Sequence, residues 1–390
     1  MKPLAAITDN LTGQPMFKVL NEVQKLERSN RKILHFELGE PDFNTPPNIV
    51  GAGLDAISSG DTHYVNSQGV FEFLVAVQNA TEHSRNFRPD LSQILVTPGA
   101  NAIIYYTIKC VADPGDEILV PDPGFPSYNA AAAACGVVPV PVPLRQKNNF
   151  IMQPEDVEAA VTDRTKLLII NSPSNPTGAV IPAGILKELW RVAQKHDLYV
   201  LSDEIYARLV YNNNVFFSPA ELDFCQERTI VCNGFSKAFA MTGWRLGVAI
   251  GPSLLIRKMT LLNETIVSCI PPFVQRAGIE AICGEQKYQR TMADEYKKRC
   301  MLLAEGLNSL PGVSCMVPSG AIYVFPNVHG TGMTDQEFAS FALNEASVAM
   351  LPGSCFGRQG TGFVRLSCVT NQDNINAAVH QLKLALERRI

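Results

Sequence analysis

The chain has 390 residues, of which 46% are hydrophobic and 18% charged, with a formal net charge of −4. A chain of that length and apolarity buries a sizeable core, is not disordered, and is long enough for two domains. The mild negative charge speaks against a nucleic-acid partner or an anionic membrane, no apolar run reaches the roughly 18 residues of a membrane span, and the start, with Asp9 and Asn10 close behind it, has no signal-peptide core.

Short β-rich runs alternate with helical patterns through the middle of the chain. The runs are Gln93–Thr97, Glu117–Pro121, Val137–Val142, Lys166–Asn171, Leu198–Asp203, Arg228–Asn233 and Arg245–Ile250. Most are apolar nearly throughout, as in strands buried on both faces of a parallel sheet. Between two of them, Pro182–His196 opens on proline and sets Ile185, Leu186, Leu189, Trp190 and Val192–Ala193 on one stripe. That predicts an amphipathic crossover helix. The alternation predicts an α/β sheet with helices on both faces. After about residue 252 the texture changes. A helical stretch, Leu254–Leu310, is interrupted near Ile270-Pro271-Pro272; Val313–Phe325, a helix near Asp335–Ala346, a strand near Gly362–Ser367 and a final helix from about Gln372 follow. This α+β tail is expected to join the N-terminal segment. The expected division is an arm and part of a small domain over 1–45, a large domain over 46–285 and the small C-terminal domain over 286–390.

Ligands of open α/β sheets sit beyond the carboxyl ends of the strands. The first run ends in Pro98-Gly99-Ala100-Asn101-Ala102, either a plain tight turn or a turn whose amides hold a phosphate. The second ends in Asp122-Pro123-Gly124-Phe125, where Phe125 is a core aromatic or a stacking face for a flat ring. Lys166–Asn171 leads to Ser172-Pro173-Ser174-Asn175-Pro176-Thr177-Gly178, a loop in which Asn175 could donate to a phenolate. Leu198–Asp203 ends on an acid that caps a helix or keeps a pyridine nitrogen protonated; buried without a partner it would be costly. Arg228–Asn233 leads to Lys237 among small and apolar residues, either a solvated loop lysine or a buried one whose lowered pKa makes the amine a nucleophile. The ten cysteines, scattered from Cys110 to Cys368 with no C-x-x-C pair, fit reduced, mostly buried thiols in a cytoplasmic protein and offer no metal-ligand spacing.

The stretch NGFSKAFAMTGWRLG (Asn233–Gly247) resembles the lysine signature of the class I aminotransferases, pyridoxal 5'-phosphate (PLP) enzymes of fold type I. GEPDF (Gly39–Phe43), Thr62–Tyr64, PGDE (Pro114–Glu117), NSPSNPTG (Asn171–Gly178), SDEIY (Ser202–Tyr206), SGAIYVF (Ser319–Phe325), PGSCFG (Pro352–Gly357) and FVRLS (Phe363–Ser367) follow that family's order. The resemblance runs from about residue 12 to the C-terminus. It implies a mostly parallel seven-stranded sheet with helices on both faces plus a smaller α+β domain.

By that resemblance Lys237 would carry PLP as a Schiff base and move the Cα proton. Asp203 would pair with the pyridine nitrogen, Tyr206 and Asn175 with the phenolate oxygen, and Phe125 would stack on the ring. Ala100, Asn101, Ser236 and Arg245 would hold the phosphate. Tyr64 would reach the phosphate of a neighbouring subunit in a homodimer with shared sites, with His63 beside it a competitor for that role. Arg365 would clamp the substrate carboxylate, assisted by Asn175 and the backbone at Gly39. The family often reads G-x-x-E-L-R where this chain has Gly69-Val70-Phe71-Glu72-Phe73-Leu74; leucine in place of arginine implies a changed surface or subunit contact. The polar N-terminal stretch Thr8–Phe17 makes Asp9, Asn10 and Thr12 candidate substrate contacts.

The expected reaction is transfer of an amino group from an L-amino acid to a 2-oxo acid. The alternatives are elimination, replacement or cyclisation by the same residues, and a non-catalytic PLP-binding protein, against which the intact Lys237, Asp203 and Arg365 set argues. No arginine is evident for a second substrate carboxylate, although Arg276, Arg290 and Arg358 have no assigned place. A nicotinamide dehydrogenase would need G-x-G-x-x-G after the first strand; the Gly-Thr-Gly triplets at 330–332 and 360–362 come late and lack the third glycine.

Overall fold

The computed structural model describes residues 2–389 apart from 12, 14 and 213. In chain order the strands are β1 (Leu34–His35), β2 (Ile94–Thr97), β3 (Glu117–Asp122), β4 (Val138–Pro143), β5 (Thr165–Asn171), β6 (Tyr199–Asp203), β7 (Thr229–Gly234), β8 (Gly247–Ile250), β9 (Tyr323–Val324), β10 (Val348–Ala349), β11 (Leu351–Pro352) and β12 (Val364–Ser367). β2 to β8 form one seven-stranded sheet in the order β2-β8-β7-β6-β5-β3-β4. Its pairs are parallel except that β8 runs antiparallel to both neighbours, β2 and β7. These are the seven runs read from the sequence, with ends displaced by one or two residues.

Side chains alternate between the faces. Leu95, Ile118, Ile169, Leu201 and Ile230 pack with helices Ala100–Val111, Ser127–Cys135 and Ser253–Val267 on one face. Ile94, Val96, Val231 and Val248 pack with Phe71–Arg85 and Pro272–Cys283 on the other. The expected crossover helix forms over Ala183–Lys195 and buries Leu186, Leu189, Trp190 and Ala193. β4 departs from the buried pattern, with Val138 44% exposed. Its Pro139, Pro141 and Pro143 cannot donate to a ladder, which confines it to the sheet edge.

The C-terminal part folds around a second core in which Tyr296, Leu303, Phe338, Leu366 and Leu382 meet Phe36 from the N-terminal segment. β1 pairs parallel with β10, Leu34 opposite Val348, while β12 lies between β11 and β9. This arrangement brings Gly39 and Arg365 to the open end of the large sheet.

Leu74 is 6% exposed and sits in the core with Phe73 and Val96. Leucine there fills the interior under helix Phe71–Arg85, so the substitution does not change a surface, contrary to the sequence reading. None of the ten cysteines is in a disulfide, and most are buried. No described helix is long and apolar enough to cross a membrane.

Candidate active site

A cavity of about 360 Å³ opens at the carboxyl ends of the strands. Ala100, Asn101, Phe125, Asn175, Asp203, Tyr206, Ser236, Lys237, Arg245, Gly39 and Arg365 all line it. Tyr64 does not. It is 87% exposed and lies in a separate surface hollow with Ser67, Glu264 and Ser268.

Lys237 follows β7, and its Nζ donates to the Gly39 carbonyl at 2.6 Å. Burial pushes the amine down to about 8; Glu40 opposes the shift, and the cations of Arg365 and Arg245 add to it. An amine with that pKa carries a usable lone pair near neutrality.

Asp203 ends β6 with 4% of its surface exposed. It accepts from the Tyr128 hydroxyl at 2.7 Å and the Ile205 amide at 3.3 Å. Burial raises its pKa to about 6, with the two hydrogen bonds acting in the opposite sense. Asn171 props the neighbouring loop: its Oδ1 accepts from the Asn175 amide at 2.8 Å, and its Nδ2 donates to the Asp203 carbonyl at 3.2 Å.

Arg365, in the middle of β12, is 1% exposed. Its Nη1 donates to Asn175 Oδ1 at 3.2 Å and its Nη2 to the Glu37 carbonyl at 2.5 Å, while Nε has no acceptor. The guanidinium lies between Tyr323 and Phe356, at 4.5 Å and 4.9 Å from the ring centroids. Tyr206 and Tyr323 meet hydroxyl to hydroxyl at 2.8 Å. Burial, then the Tyr323 hydroxyl, hold Tyr206 well above the usual phenol range, so it stays a neutral donor.

At the other end, Arg245 is exposed and adopts a left-handed backbone, φ 56°. Its Nη1 donates to the Thr242 carbonyl at 2.9 Å. Gly99, at φ +88°, lies directly beneath that guanidinium, where a Cβ would collide with it. Only glycine lets the turn before helix Ala100–Val111 sit there, with the first amides of the helix beside Arg245. Phe125 stands edge-on to Tyr128, centroids 5.7 Å apart. A flat pyridine bearing a phosphate suits this donor set: amides, Ser236 and an arginine at one end, and a buried acid with no cationic partner at the other.

The sequence reading had no role for Tyr128, Asn171 or Tyr323. The one signal available was position, since each falls inside or just after a motif. Of the N-terminal candidates, Asp9 is exposed and does not line the cavity, whereas Met16 and Leu20 of helix Pro15–Arg28 do. Thr12 and the Asn10 side chain lie outside the described residues.

Residues 31–382 match the family model "Aminotransferase class I and II". The chain belongs to this family. This aminotransferase is 36% identical to the aspartate aminotransferase of Pyrococcus horikoshii over 91% of each chain. It is 37% identical to the aromatic-amino-acid aminotransferase 2 of Thermococcus litoralis over 92% of each. The solved aspartate aminotransferase of Rhizobium meliloti superposes with a TM-score of 0.95, 31% identity and full coverage of both chains. The aminotransferase is therefore a PLP-dependent transferase of fold type I, and transamination is the reading of the sequence that stands.

Proposed function

We propose that Lys237 is both the covalent anchor of the cofactor and the group that moves the donor's Cα proton, in a cytoplasmic homodimer whose subunits share their active sites. The observation that carries this reading is the convergence of an amine, a buried acid and a buried guanidinium on one cavity. Bound PLP supplies the electron sink for charge developing at Cα.

The residues have separable tasks. Asp203 keeps the pyridine nitrogen protonated; a cation beside it would relieve the burial that now holds its pKa up. Tyr206 and the side-chain Nδ2 of Asn175 donate to the phenolate oxygen, and Phe125 covers the ring face. Ala100 and Asn101 amides, Ser236 and Arg245 hold the phosphate. Arg365 grips the substrate carboxylate as a fork, oriented by Asn175 and by the two rings that sandwich it. The backbone at Gly39 lies on the same side, and its carbonyl holds Lys237 in place. Tyr64, exposed and remote from Lys237 in its own chain, suits a contact with the neighbouring subunit's phosphate.

Met16, Leu20, Leu38 and Ile104 give the cavity an apolar wall. That favours an aliphatic or aromatic donor over a dicarboxylic one, aromatic amino acids being the substrate class for which the Thermococcus litoralis relative is named.

Mixing the enzyme with single amino acids and weighing the products tests the reading. Pyridoxamine phosphate and the matching 2-oxo acid are expected, fastest with apolar donors. Loss of a side-chain leaving group with the cofactor unchanged would contradict it, and a preference for aspartate would remove the substrate assignment alone. Shared sites predict that inactive Lys237→Ala and Tyr64→Ala subunits, mixed, regain activity through hybrid dimers.

A further inference from the structure

A second cavity, of about 340 Å³, lies on the far side of the sheet ends from the active site. Its volume falls within the roughly 300–1,000 Å³ of small-molecule sites. Its wall is formed by the loop that carries Lys237, through Phe235, Ala238 and Phe239, while Ile205 lines both cavities. Part of the lining is aromatic and apolar: Phe235 and Phe239 stack at 5.5 Å, and Phe216 and Ile282 line the same space, while Thr81, Ser84 and Asn233 add polar groups.

The charges in this cavity are unequal. Arg85 and Arg208 line it against a single acid, Glu204. Glu204 is already satisfied, since it accepts from Arg85 Nε at 2.9 Å, from Arg85 Nη2, from Ser202 at 3.0 Å and from Ser218. Arg208 is left with a neutral hydrogen-bond partner, Gln286 Oε1 at 3.2 Å, and its guanidinium sits 5.2 Å from the Phe239 ring centroid. An amino acid would bring an ammonium group toward two guanidiniums. A planar apolar body with one carboxylate and no amine matches both the walls and the surplus positive charge.

We propose that this cavity binds an aromatic carboxylate, with its ring against Phe235 and Phe239 and its carboxylate on Arg208. The site is distinct from the Arg365 fork, which faces the other cavity.

The test uses 4-bromophenylacetate and the PLP-loaded enzyme. In soaked crystals the bromine should appear by anomalous scattering inside this cavity, beside the Phe235–Phe239 stack. In solution, calorimetry should show binding that Arg208→Gln weakens roughly tenfold and that Ala80→Trp, which fills the cavity, abolishes. Transamination should be unchanged in Arg208→Gln. Bromine beside Arg365 alone, binding in crystals without binding in solution, or affinity untouched by Arg208→Gln would each overturn the proposal. Because Arg208→Gln alters only a side chain at the cavity mouth, it decides the matter even if the tryptophan variant does not fold.

Discussion

Asp203 and Glu204 are neighbours at the end of β6, and the chain treats them in opposite ways. Glu204 is fully buried and closed: Arg85 balances its charge, and Ser202 and Ser218 occupy its remaining oxygen. Asp203, on the active-site side, receives a tyrosine hydroxyl and one long amide contact but no cation. Two of the three buried arginines among the described residues divide in the same way. Arg85 spends its fork on Glu204, whereas Arg365 meets only an amide oxygen, a carbonyl and two aromatic faces, and keeps an idle Nε. Leaving a buried charge incomplete is costly, so it persists where a ligand completes it. The closed pair is architecture, and the open charges are the site.

Breaking the open side should cost activity and little stability. Arg365→Ala should lower kcat/KM by about 10³-fold, and Arg365→Lys should recover little of it, because an ammonium cannot fork a carboxylate. The melting temperature should scarcely move. Asp203→Asn should lower kcat by about 10²–10³-fold with the fold intact, read as turnover and circular dichroism on the same sample.

Breaking the closed side should do the reverse. Arg85→Ala strands Glu204 and should cost about 3–5 kcal/mol in denaturant unfolding, with turnover per folded molecule close to wild type. If Arg85→Ala abolishes turnover in a folded enzyme, or Arg365→Ala unfolds the chain, the division fails.

A smaller effect belongs to the surface below the site. His35 lies between Glu37 at 2.8 Å and Glu27 at 3.0 Å, and tethers helix Pro15–Arg28, whose Met16 and Leu20 line the active site. The Glu37 hydrogen bond, against the opposing effect of burial, raises its pKa from 6.5 to about 9. The imidazolium therefore stabilises the fold fully below pH 6.5, and that contribution is lost as pH rises through 9. His35→Gln should lower Tm modestly at pH 6, since the side chain is 42% exposed and its charges are screened. The difference should vanish above pH 9.

Much of this was legible in the sequence. The seven strands announced themselves as apolar runs, and Asp203, Asn175 and Lys237 stand at or just beyond strand ends, where sequence spacing fixes spatial position. Arg365 was harder. Alone on a short strand it reads as a surface residue; only the packing of Tyr323 and Phe356 around it makes it a buried fork. Tyr128 was invisible because its task depends on a helix register that points its hydroxyl at Asp203. Leu74 misled because loss of a charged residue suggests a surface change, whereas helix Phe71–Arg85 turns that position inward. The second cavity has no sequence signature, since its walls come from segments far apart in the chain.

The chemistry of the whole site turns on Lys237 as the cofactor lysine. Borohydride reduction of the PLP-loaded enzyme, followed by digestion and mass spectrometry, tests it directly. A single phosphopyridoxyl label on the peptide containing Lys237 is the result expected, and Lys237→Ala should take none. A label on any other lysine, or no stable label in active enzyme, would contradict the account.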